Sequence, residues 1–161
     1  MQSSITPHSG ISGVHRDVRL GRVLTRHRAD KLAMISDLTY YCIVFGDVMP
    51  DLAALFDDIA KDEAAHFRLL GELIAALGQD PAINVRLRNE PLGLIDDKPC
   101  RAPAAAARVL NSLLERETTA SRDFARLAAF AADNISAADI LTRLATDDSL
   151  HARALRGAIR K

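Results

Sequence analysis

The residues in this chain whose types and spacing could do chemistry are two acid–imidazole pairs. Glu63 and His66 stand three apart in Ile59-Ala60-Lys61-Asp62-Glu63-Ala64-Ala65-His66-Phe67-Arg68-Leu69-Leu70. Asp148 and His151 repeat the spacing in Leu144-Ala145-Thr146-Asp147-Asp148-Ser149-Leu150-His151-Ala152-Arg153-Ala154-Leu155, offset from the first pair by the same interval (148 − 63 and 151 − 66, both 85). On a helix, residues three apart project from one face. Around the first pair that face carries Leu55, Phe56, Ile59, Leu70 and Ile74, and around the second Ile140, Leu141, Leu144, Leu155 and Ile159, so both pairs lie on core-facing stripes. An unpaired charge buried there is costly, so each pair needs a partner. A metal ion is one such partner. Carboxylates are hard, charge-neutralising ligands, and one imidazole per ion leaves positions open for water or an oxidant.

The elements that must position these residues are helices. Apolar residues make up 48% of the chain with aromatics at 4% and no Trp, an Ala- and Leu-rich balance that favours an all-α chain over a sheet. At 161 residues the length fits one domain with a four-helix core. A first helix is expected from Val18 or Arg22 to Phe45, and a second from Pro50 to about Leu77, with Gly78 as a left-handed cap. Pro81, Pro91, Gly93, Pro99 and Pro103 then break any long helix and leave a connection of some two dozen residues from Gln79 to Pro103. A third helix should run from Pro103-Ala104 to about Ala132. A fourth should start at Ser136, with Asp139 completing a capping box, and continue to the C-terminus. Two hairpins joined by a long crossover between helices 2 and 3 make an antiparallel four-helix bundle over residues 18–161, preceded by a flexible tail over 1–17.

The bundle supplies further acids. Asp30 and Asp37 interrupt the first helix, and Glu117 falls on the apolar stripe of the third while Glu115 falls off it. Residues equidistant from a hairpin turn lie side by side, which sets Asp30 beside Phe67 and Glu117 beside Ala152, each one residue from a His of the repeat. Asp37 would correspond to Phe124. Asp30 and Glu117 are therefore the expected equivalent acids on helices 1 and 3.

At this point the chain resembles the ferritin-like superfamily of di-iron and di-manganese carboxylate bundles, which includes ferritins, bacterioferritins and rubrerythrins. The resemblance spans about residues 22–160, and the stretch from Ile59 to Ile74 looks most like small rubrerythrin-type proteins. The family pattern, a Glu on one helix and Glu-x-x-His on the next, twice over, reads here as Asp30, Glu63-x-x-His66, Glu117 and Asp148-x-x-His151. It implies two Fe or Mn ions per chain, with the Glu63 carboxylate and that of Glu117 or Asp148 bridging them. The implied reaction is oxidation of Fe(II), or reduction of peroxide or dioxygen. Asp stands at 30 and 148 where the family usually has Glu, and no rubredoxin-like tail follows. A homodimer or larger homo-oligomer is also expected. The competing readings are a non-catalytic bundle that holds its acids and histidines in salt bridges while binding a partner, and an iron-storage subunit.

Composition narrows the remaining classes. Lys plus Arg equals Asp plus Glu, so neither nucleic acid nor an anionic membrane is implied as a partner, and the Arg-rich lead-in from Arg16 to Arg28 reads as a solvated helix start. Cys42 and Cys100 lack any CxxC spacing, which fits a reducing cytoplasm. No secretory h-region opens the chain, and the run from Leu32 to Val48 is too short and too interrupted to span a bilayer. His8, His15 and His27 are expected in the tail or on the surface, with His27 one turn from Asp30. Tyr40 and Tyr41 are expected in the core.

Overall fold

Four helices build the chain: α1 (Gly10–Phe45), α2 (Pro50–Ala76), α3 (Pro103–Phe130) and α4 (Ile135–Ile159). The computed structural model describes residues 10–82 and 103–160. Pro50 opens α2, where its missing N–H is not needed. The end of α2 is a Schellman motif: Gly78 takes a positive φ of 72°, Gly78 N donates to Ala75 O at 2.9 Å, and Gln79 N donates to Ile74 O at 3.1 Å. At the second hairpin the cap is Asn134, whose side chain accepts from Ala137 N at 3.1 Å. The expected cap, Ser136, lies inside the first turn, and Asn134 satisfies the orphan N–H two residues earlier.

Helix α1 begins earlier than its apolar pattern indicates, at Gly10 rather than Val18 or Arg22. Its extra turns rest on the α3–α4 corner. Arg16 pairs with Asp133, and the guanidinium groups of Arg16 and Arg19 sit 5.9 and 5.8 Å from the centre of the Phe130 ring. The expected tail over 1–17 is thus helical from Gly10 onward, and residues 1–9 lie outside the described residues.

Two apolar clusters fix how the helices run. One joins Leu20 and Leu24 of α1, Leu70 and Ile74 of α2, Phe124 of α3, and Leu141 and Leu144 of α4. The other joins Leu38 and Phe45 of α1, Phe56 and Ile59 of α2, Val109 and Leu113 of α3, and Leu155 of α4. The first cluster holds the start of α1 and α4 and the end of α2 and α3; the second holds the opposite ends. Helices α1 and α4 are therefore parallel to one another and antiparallel to α2 and α3. It follows that α2 ends at one end of the bundle and α3 starts at the other, so the two points that the connection joins lie a bundle's length apart. For the 27 residues of α2 that length is about 40 Å at about 1.5 Å per residue. Residues 83–102 of that connection, Cys100 among them, lie outside the described residues.

Arg28 ties this frame together near the crossover. Its guanidinium lies 4.2 Å from the centre of the Phe67 ring, donates to Phe67 O at 3.1 Å, and donates to Pro81 O. A Cβ at Gly71 would come within 2.9 Å of that guanidinium, so the small residue there makes room for the Arg28 side chain against α2. Tyr41 is buried as expected, whereas Tyr40 is 42% exposed, one residue round the helix and off the core face.

Candidate metal centre

Between the two apolar clusters lies a layer of buried polar side chains: Lys31 from α1, Glu63 and His66 from α2, Glu117 from α3, and Asp148 and His151 from α4. Glu63, Glu117 and Asp148 are each fully buried. Helix geometry delivers them there. Glu63 continues the stripe of Phe56 and Ile59, Glu117 that of Leu110 and Leu113, and Asp148 that of Leu141 and Leu144. Of the six residues that the sequence nominates, the structure brings together Glu63, His66, Glu117, Asp148 and His151. Asp30 does not join them. It is exposed, on the wall of a cleft of about 320 Å³ between α1 and α3 that His27, Lys31, Arg116 and Asp123 also line. The residue that turns inward at this level of α1 is its neighbour Lys31, 3% exposed.

The outer contacts of the two imidazoles are two-fold related, as the repeat is. His66 Nδ1 approaches Glu63 Oε1 at 3.1 Å and Asp148 Oδ1 at 3.3 Å, while its Nε2 lies 3.3 Å from Asp147 Oδ2. His151 Nδ1 lies 3.5 Å from Glu117 Oε1 and 3.6 Å from Glu63 Oε1, and its Nε2 is 3.2 Å from Asp62 Oδ2. Each imidazole is thus oriented by the Asp that precedes the carboxylate of the other motif, Asp147 for His66 and Asp62 for His151. An outer carboxylate on one ring nitrogen turns the other nitrogen toward the interior. Lys31 Nζ donates to Glu63 Oε1 and Asp148 Oδ1, both at 2.8 Å.

These neighbours set the protonation of the layer. Burial alone would lower both imidazole pKa values. Asp148 and Glu63 outweigh it at His66, raising it to about 9, and Glu117, Glu63 and Asp62 outweigh it at His151, raising it to about 10. Burial would raise the Glu63 carboxyl, but His151, His66 and Lys31 together hold it well below the usual carboxylate range. Glu117 is pushed up by burial, which His151 only partly offsets, with Glu63 adding repulsion. Lys31 is held above the usual lysine range: desolvation opposes its charge, but Glu63, Asp148 and Glu117 prevail. His27, half-buried against Phe124 at 4.9 Å, is lowered by burial despite Asp123 and Asp30 nearby.

Several buried ligand atoms have no hydrogen-bond partner: Glu63 Oε2, both carboxylate oxygens of Glu117, Asp148 Oδ2 and His151 Nδ1. Buried polar atoms are seldom left so, and a cluster of anionic oxygens with one imidazole nitrogen is the donor set of a hard or borderline divalent cation. One ligand atom from each of Glu63, Glu117, Asp148 and His151 can be chosen so that all lie within 4.8 Å of one another. Bonds of about 2.0–2.2 Å put opposite donors about 4.0–4.4 Å apart, so a shift of a few tenths of an ångström closes the set on one ion. These four residues fit a metal.

The sequence matches the ferritin-like domain family over residues 24–161, and the chain belongs to that family. No curated protein and no solved structure matches it. Among the described residues no helix is long and apolar enough to cross a membrane.

Sequence reasoning missed Lys31, Asp62 and Asp147. A signal for the two Asp residues was present, since they too are 85 apart (147 − 62) and directly precede the repeated carboxylates. Lys31 carries no such signal, because a ligand pattern selects acids and imidazoles on α1 and not an ammonium. Asp37, further along α1, pairs with Arg116 at 2.6 Å away from the layer.

Proposed function

We propose that this chain binds a divalent redox metal, Fe or Mn, in the bundle core, and acts there as an oxidoreductase on Fe(II), peroxide or dioxygen. The observation that carries this reading is the group of buried, unpartnered ligand atoms on Glu63, Glu117, Asp148 and His151. When bound, such an ion supplies one-electron redox chemistry and a coordination position for an oxidant. The chain's own part is to hold the donors in a dry layer between two apolar clusters, and to keep His151 turned inward through Asp62 and His66 through Asp147. Asp30, on which the expectation of two ions partly rested, stands outside this donor set. Within the family, the likeness of the stretch from Ile59 to Ile74 to small rubrerythrin-type proteins supports a rubrerythrin-type reading, and a homo-oligomer in the cytoplasm fits it.

A second reading has one observation in its favour. Lys31 already satisfies one oxygen each of Glu63 and Asp148, as a bundle that holds its acids by ion pairs would. In such a bundle His151 would be the counter-charge of Glu117, but at 3.5 Å it leaves both Glu117 oxygens without a hydrogen bond, which weighs against this reading. The test is metal content after anaerobic loading with Fe(II) and desalting, followed by Fe(II)-oxidation and peroxide-consumption assays. Wild-type protein is expected to retain metal and turn over, and Glu117→Gln with His151→Ala to lose both while keeping its helical content. Retention of the same metal by that double variant would contradict the assignment.

A further inference from the structure

The metal-binding reading leaves open how many ions the layer holds, and the inference here rests on it. The layer consists of two half-sites. Glu117 of α3 and His151 of α4 bound one; residue 31 of α1 and His66 of α2 bound the other; Glu63 and Asp148 face both. In the first half the donors are complete, and Glu63 Oε2, Asp148 Oδ2 and both oxygens of Glu117 are unpartnered. In the second half the position that answers Glu117 is held by Lys31. Its ammonium sits 2.8 Å from Glu63 Oε1 and Asp148 Oδ1, the same two oxygens that His66 Nδ1 approaches at 3.1 and 3.3 Å. A cation already stands where an ion shared with His66 would have to sit, and an ammonium has donors only and cannot ligate a metal.

Charge balance points the same way. The three buried carboxylates carry three negative charges, which one ammonium and one divalent ion neutralise, with His151 neutral as a ligand. Lys31 cannot easily withdraw, since it is 3% exposed and its departure would strip Glu63 and Asp148 of their shared donor.

We propose that Lys31 is a resident cation that replaces the second metal, so that the layer holds one divalent ion, on Glu63, Glu117, Asp148 and His151. The experiment is Mn(II) loading followed by desalting and elemental analysis of wild type, Lys31→Glu and Lys31→Ala. The expected result is about one ion per chain in the wild type and about two in Lys31→Glu, which restores the missing carboxylate. Lys31→Ala vacates the space without adding a ligand and guards against misfolding of the Glu variant. It should take up a second ion only at higher Mn(II), and its metal-free form should melt below the wild type. Two ions in the wild type would overturn the role of Lys31 while leaving metal binding intact, and so would a single ion in both variants. No ion in the wild type would overturn the metal-binding reading, and this one with it.

Discussion

A metal bound in this layer would compete with a proton for Nδ1 of His151. In the metal-free chain Glu117 and Glu63 keep His151 protonated up to about pH 10, and Asp148 and Glu63 keep His66 protonated up to about 9. Both values are raised above the ordinary histidine value, so the stability they contribute is fully present below about pH 6.5 and is lost as pH rises through 9 to 10. Metal binding must instead remove the proton from His151 Nδ1. The affinity should therefore rise about tenfold per pH unit between about pH 6.5 and 9, with about one proton released per ion. Calorimetric titration with Mn(II) in buffers of different ionisation enthalpy measures that proton directly. An affinity that does not change with pH over this range would show that His151 is not a ligand.

At the scale of the helix, the register of a single residue decides which side chain reaches the layer. Hairpin symmetry placed the relevant part of α1 within one position, but one position on a helix is about 100° of rotation, enough to move Asp30 to the surface and bring Lys31 inside. The four helices and the convergence of Glu63, His66, Glu117, Asp148 and His151 on one layer were legible, because the 85-residue repeat and the apolar stripes are strong periodic signals. The early start of α1 was not, because Arg16 and Arg19 carry no apolar period and are held by Phe130, distant in sequence. Helices α2 and α4 meet through the crossed pairs Asp62 with His151 and Asp147 with His66. Asp62→Asn and Asp147→Asn, each keeping the side-chain shape, should weaken metal affinity by about 10- to 100-fold with little change in fold. Competition with a chelator of known affinity measures the loss, and wild-type affinity in both variants would remove these residues from the site.

At the scale of the molecule, the bundle is two apolar clusters with a charged layer between them, and the layer is tolerable only because its charges are matched. Antiparallel hairpins bring a carboxylate and an imidazole from α2 and from α4 to the same height, while the crossover between α2 and α3 lets α3 present Glu117 at that height as well. On the proposed function, a metal binds in this layer rather than at any surface group of acids. Anomalous diffraction from crystals grown with Mn(II) tests it most directly. The expected result is an anomalous peak within about 2.0–2.4 Å of donor atoms of Glu63, Glu117, Asp148 and His151. An empty layer at saturating Mn(II), with peaks confined to exposed acids such as Asp57 and Asp58, would contradict it.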